Sequence, residues 1–170
     1  CLVNNASVFE HDSVESATRE SWDLHLDVNL RAPFVLSQAM ARDLPGATPG
    51  SIINIIDQRV ENLTPHFTSY TISKSALWTI TQTLAQALAP VIRVNAISPG
   101  PVLPSPRQSS DAFAQQYTAT PLERAVDTAE ICAAARFILA APSLTGQMIT
   151  IDSGQHLGWS QGPKSGGPSE

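Results

Sequence analysis

Cysteine is nearly absent: Cys1 and Cys132 are the only two in 170 residues, and no C-x-x-C pair occurs. A disulfide scaffold and a cysteine-type zinc site are therefore excluded. His11, His25, His66 and His156 are scattered, and none has the spacing of a metal ligand. Charge is also sparse, at 15% of residues, but 42% are hydrophobic, so the chain is not a charge-rich disordered segment. The net charge of −5 gives no basic footprint, and nucleic acid is not an expected partner. No apolar run approaches the ~18 residues of a membrane span, so no membrane partner is expected. A protein with so few cysteines is expected in a reducing cytoplasm. Missing, too, is any G-x-G-x-x-G or G-x-x-x-G-x-G run, the usual pyrophosphate turn of a dinucleotide fold.

What is present is alternation. Cys1–Val3 is apolar and β-prone and breaks at Asn4-Asn5-Ala6-Ser7. Trp22–Leu30 alternates apolar and polar residues, which alone would indicate a strand. Ala32, Val35, Leu36, Ala39 and Met40 then fit a helical face, so one long helix is expected over 21–42. Ser51–Ile56 (SIINII) reads as a strand buried on both faces. Leu77, Ile80, Leu84 and Leu88 step along one face of a helix over 69–88, which Pro90 ends. Val91–Ile97 is the next strand, stopped by Ser98-Pro99-Gly100-Pro101. A short helix over 109–117 precedes an Ala-rich one over 129–140, with Ile131, Ala135, Ile138 and Leu139 inward. Met148–Ile151 is the last strand. Residues 159–170 are Gly/Ser/Pro-rich and expected to form a flexible tail. Strands alternating with helices imply an α/β fold, a doubly wound parallel sheet of Rossmann type. Four strands are visible where such a sheet has about six or more. Residues 1–158 are accordingly expected to form the C-terminal part of one such domain, without its first βαβ units.

One pair of residues carries chemistry. Tyr70 and Lys74 stand at i and i+4 near a helix start, on one face. A nearby ammonium favours phenolate and would lower the Tyr pKa from about 10, so that the phenol can exchange a proton near neutrality. Asn4–Ser7, Asp57 and Pro99-Gly100 each follow a strand and should line the same sheet edge, where open α/β sheets bind ligands.

In order and spacing, Asn4-Asn5-Ala6, Asn29, Tyr70-xxx-Lys74, Pro99-Gly100 and Thr145-Gly146 followed by Ile151-Asp152-Ser153-Gly154 resemble the short-chain dehydrogenase/reductase family, from its fourth strand onward. The resemblance implies a nicotinamide cofactor, with Tyr70 as proton donor and Lys74 holding the nicotinamide ribose. Asn29 would hold a water in a proton relay, and Asn4, Asn5 and Ala6 would support the sheet beside the cofactor. Pro99, Gly100 and Ser105 would lie along the nicotinamide. The family commonly has Ser thirteen residues before the Tyr; here that position is Asp57. A carboxylate accepts hydrogen bonds but cannot donate to a carbonyl oxygen gaining negative charge. It suits a substrate that presents N–H donors.

Asn-Ala-Ser-x-Phe, at Asn5 to Phe9, together with Asp57, resembles the pteridine and dihydromonapterin reductase branch. That likeness implies NADPH (NADH stays open), Ser7 touching cofactor and pterin, Phe9 stacking on the pterin ring, and Asp57 working with Tyr70 on protons for ring nitrogens. The segment 101–116 would cover the substrate, within reach of Arg107 and Tyr117, and a homotetramer paired through the long helices is implied. Three functions remain open at this point: a pterin reductase, a general carbonyl or 3-oxoacyl reductase, and a non-catalytic cofactor-binding scaffold.

Overall fold

The computed structural model describes residues 1–46, 48–105 and 108–158. Strand β1 (Leu2–Asn4) leads through a loop to helices α1 (Arg19–Leu26) and α2 (Ala32–Asp43). Strand β2 (Gly50–Ile55), helix α3 (Thr68–Ala87) and strand β3 (Ile92–Pro99) follow. Helices α4 (Ser110–Thr118) and α5 (Thr128–Ala140) and strand β4 (Met148–Ile151) complete the order. The strands lie in the order β1-β2-β3-β4, and every pairing is parallel. This is the expected α/β architecture.

The expected long helix forms but is not uniform. α1 starts with a capping box, in which the Thr18 hydroxyl accepts from the Ser21 N–H and the Ser21 hydroxyl is bonded by the Thr18 N–H. Between α1 and α2 the chain widens into one π-turn over Asp27–Arg31. Such turns insert one extra residue and re-aim a side chain; here Asn29 lies at its centre and is fully buried. The strand-like alternation of Trp22–Leu30 loses to the continuing helix.

β2 is covered on both faces, because successive side chains point to opposite sides. Ile52 packs with Ala85, Val94 and α2 residues, while Ile53 packs with Ala134 and Ile138 of α5. Both isoleucines are completely buried, as the apolar run SIINII requires.

Two inward faces differ from expectation. α5 buries Ala134 and Ile138, whereas Leu139 is 45% exposed, one residue step off the face. α2 buries Pro33 and Ser37 and leaves Val35 and Leu36 exposed; of the apolar face read from the sequence, Met40 packs against the sheet core. The Ser37 hydroxyl is accommodated by donating to the Pro33 carbonyl at 2.7 Å. No helix among the described residues is long and apolar enough to cross a membrane.

Candidate active site

In a parallel sheet all strand C-termini fall at one edge, and the chemistry-bearing residues gather there. The loop after β1 carries Asn5 to Phe9, Asp57 follows β2, and Pro99-Gly100 ends β3. The N-terminal turn of α3 brings Tyr70 and Lys74 to the same edge. Phe9, Asp57, Tyr70, Pro99, Gly100 and Ser105 line one cleft of about 980 Å³.

Tyr70 donates its phenol hydrogen to Asp57 Oδ2 at 2.7 Å. Asp57 is held in turn, since Oδ1 accepts the Arg59 backbone N–H at 2.8 Å and caps a 3₁₀ turn over Gln58–Val60. The phenol is buried. Burial first, then the Asp57 charge and hydrogen bond, push Tyr70 well above its ordinary pKa, with Arg59 and the Ser7 hydroxyl only partly opposing. The expected lowering by Lys74 is therefore corrected: burial and then Asp57, not the ammonium, govern the phenol. The physical reason is distance. Lys74 Nζ lies 5.7 Å from the Tyr70 ring centroid and donates to the Ile55 carbonyl at 2.9 Å. Burial lowers Lys74 itself to about 8, although Asp57 pulls the other way.

Asn29 uses its whole amide. Nδ2 donates to the Val8 carbonyl (2.9 Å) and Ser73 Oγ (3.1 Å), while Oδ1 accepts from the Val8 N–H (2.8 Å) and the Ser7 hydroxyl (3.2 Å). It ties the Ser7–Phe9 loop to α3 and makes no direct bond to Lys74. Asn4 donates to Asn54 Oδ1 at 2.8 Å, and Asn54 donates to Thr81 at 2.8 Å. This chain of amides locks β1, β2 and α3 together beside the cleft. Asn5, Ala6 and Ser7 are exposed in the loop beyond. Gly100 is required by packing, since an added Cβ would stand 2.6 Å from the Asp152 Cα.

Phe9 is in the cleft, but stacked on Phe67, with centroids 4.3 Å apart and 9° between planes. Its ring also meets the Tyr70 ring edge-on at 4.6 Å. Phe67 was not singled out from the sequence. It adopts a left-handed backbone, φ 58°, at the N-cap of α3, a conformation that bulky residues rarely take. Gln58, Arg59, His11 and Gln155 also line the cleft. Only the position of Arg59, two residues after Asp57, could have flagged it. Val102, Leu103, Gln108, Ser109, Ala112 and Gln116 supply the wall expected from residues 101–116. Tyr117 does not line the cleft and packs on Phe113 at 5.4 Å, because it lies on another side of α4. Arg107 lies outside the described residues, as does Trp159.

A second buried cluster lies behind the site. Asp12, His25 and Ser69 are each at most 1% exposed. Ser69 Oγ donates to Asp12 Oδ2, and the Ser69 N–H donates to Asp12 Oδ1 at 3.2 Å. His25 Nε2 accepts the Glu10 N–H at 3.0 Å, so Nδ1 carries the ring hydrogen and donates toward Ser69 Oγ at 2.7 Å. Burial alone would raise the Asp12 pKa, but the Ser69 bonds outweigh it and hold the carboxyl below its usual range. Asp12 thus caps α3 from a distance, next to Tyr70.

A sequence-family model described as "Enoyl-(Acyl carrier protein) reductase" matches residues 1–156. The chain belongs to the short-chain dehydrogenase/reductase family. L-xylulose reductase of Bos taurus is 33% identical over 161 residues, covering 90% of this chain and 66% of that protein. Two solved structures are nearer in sequence. FolM alternative dihydrofolate reductase 1 from Brucella suis, in complex with NADP, is 52% identical with a TM-score of 0.91, covering 94% of this chain and 64% of that one. Its Brucella canis counterpart, complexed with NADP, is 50% identical with a TM-score of 0.92, covering 97% and 66%. The chain spans about two thirds of the length of these relatives. The Rossmann-type fold follows directly from these matches.

Proposed function

We propose that residues 1–158 form the proton-delivering and substrate-binding part of an NADPH-dependent reductase acting on a C=N bond of a reduced pterin. The observation that carries this reading is the Tyr70–Asp57 hydrogen bond in the aromatic cleft. Reducing a carbonyl develops negative charge on oxygen, which a carboxylate at position 57 would oppose. Reducing a C=N bond places hydride on carbon and a proton on nitrogen, and the resulting N–H suits a carboxylate acceptor. Support comes from the two alternative dihydrofolate reductases, about half identical and crystallised with NADP.

NADPH, when bound, supplies the hydride. The residues present fit its nicotinamide end: the Tyr70 phenol stands in a cleft with Pro99, Gly100 and Ser105, and the Lys74 ammonium lies 5.7 Å from the Tyr70 ring. Asn4, Asn5, Ala6 and Ser7 border that edge from β1. Tyr70, kept protonated by burial and Asp57, delivers the proton to the ring nitrogen. Asp57 aims the phenol and receives the substrate N–H. Lys74 holds the ribose and, losing its own proton near pH 8, can return one to Tyr70. Asn29 fixes the Ser7–Phe9 loop against α3 and stands where a relay water would be held. The stacked Phe9 and Phe67 rings supply an aromatic wall for the flat substrate, opposite the nicotinamide. The exposed Phe34, Val35, Leu36 and Ile72 on α2 and α3 would suit the helix pairing that a homotetramer of the whole protein requires.

The test compares 7,8-dihydrobiopterin with a panel of ketones, using the full-length protein and its Asp57→Ser variant. Wild type should turn over the pterin. The variant should lose at least tenfold in kcat on it while gaining on ketones. Inert pterins, or a variant indistinguishable from wild type, would overturn the proposal.

A further inference from the structure

The reductase reading leaves one charged cleft residue without a task. Among the described residues lining the cleft, Asp57 and Arg59 are the two with full charge, and Asp57 is engaged by Tyr70. The Arg59 backbone serves Asp57, but its side chain runs to the aromatic rings. The guanidinium carbon lies 4.8 Å from the Phe67 centroid and 5.6 Å from that of Phe9. Its side chain makes one hydrogen bond, Nη1 to Thr64 Oγ1, long at 3.3 Å, and no ion pair among the described residues. A guanidinium carries five N–H donors in a rigid fork. Most of them are open to a ligand, and the guanidinium carbon lies over the Phe67 ring.

The rings themselves form a row leading away from the proton donor. Tyr70 meets Phe9 at 4.6 Å, Phe9 meets Phe67 at 4.3 Å, Phe67 meets His11 at 5.0 Å and His11 meets His66 at 5.7 Å. Such a row offers π faces and edges to whatever extends from the reacting ring. An aryl group extending from the reacting ring would stack along this row.

We propose that Arg59 and the row of rings select pterins whose arm carries an aryl ring ending in a carboxylate, the folate-type arm, over pterins with a neutral polyol arm. This rests on the pterin-reductase reading and names the substrate class within it. The carboxylate is received by the Arg59 fork as a charge-assisted, two-point pair. Arg59 selects through binding of the arm; its charge also acts on the Tyr70 phenol, but that effect is common to both substrates and cancels in their ratio.

The experiment measures kcat/KM of the full-length protein on 7,8-dihydrofolate and 7,8-dihydrobiopterin, which share the reacting ring and differ in the arm. Wild type, Arg59→Met and Arg59→Lys are compared, with NADPH affinity by fluorescence as a check that each variant is folded. Wild type should favour dihydrofolate. In Arg59→Met the ratio of the two kcat/KM values should fall roughly ten- to hundredfold, through KM for dihydrofolate. Arg59→Lys should fall between, since it keeps the charge but loses the fork. Raising salt should increase KM for dihydrofolate in wild type and leave the Met variant flat. An unchanged ratio overturns the inference even with pterin turnover intact, as does an equal loss on both substrates, which would mark Arg59 as acting through Asp57 and Tyr70. Failure of wild type on both pterins alongside turnover of ketones overturns the reductase reading and this inference together.

Discussion

Lys74 should weaken the folded state below pH 8, and the size of that effect can be worked out. Its side chain is 3% exposed, and its pKa falls from 10.5 to about 8, chiefly because burial penalises the ammonium. A folded pKa below the unfolded one means that the unfolded chain binds more protons between the two values. Stability then rises with pH across that window, from about 8 to 10.5. Each unit is worth about 1.4 kcal/mol. Lys74→Met removes the titration but also orphans the Ile55 carbonyl, which accepts from Nζ at 2.9 Å. That orphaning does not depend on pH, so the informative quantity is the difference between wild type and variant at two pH values. From pH 7 to 9.5 the wild type should gain roughly 2 kcal/mol relative to Lys74→Met, by urea denaturation of the cofactor-free, full-length protein. A difference that stays flat, or that falls with pH, would show that the ammonium is not desolvated and would remove the basis for its proton return to Tyr70. The same variant should lose activity, because the residue that costs stability is the one proposed to hold the ribose.

Other substitutions have equally definite outcomes. Gly100→Ala places a Cβ 2.6 Å from the Asp152 Cα, so backbone must move; a loss of about 1–3 kcal/mol in thermal stability is expected, with reduced activity. Asp12→Ala strips the buried Ser69 N–H and hydroxyl of their acceptor. A loss of about 3 kcal/mol is expected in denaturant titration. Asp57→Ser and Arg59→Met are read out in substrate preference, as set out above.

Much of the architecture was legible because its signals are local. SIINII could only be a strand buried on both faces, and Pro90 and Ser98-Pro99-Gly100 mark ends that any parallel sheet would respect. The gathering of Tyr70, Asp57 and Gly100 at one cleft was legible because parallel strands deliver their C-termini to one edge. The inward faces of α2 and α5 were less legible. Ser37 is buried through a bond to its own helix and Leu139 is not, since burial depends on which element lies opposite and not on periodicity alone.

The sequence by itself determined the strand–helix alternation, the family, and the residues that could exchange a proton. Tertiary structure decided what each of them feels. It made Asp57 rather than Lys74 the partner of the Tyr70 phenol, because Asp57 accepts the phenol hydrogen at 2.7 Å while Lys74 directs an N–H to the Ile55 carbonyl. It also joined Asp12, His25 and Ser69 across up to 57 positions of chain, and set Phe67 and Arg59 against Phe9. Hydrogen bonding, stacking and desolvation act through space at a few ångströms, and separation along the chain does not encode them.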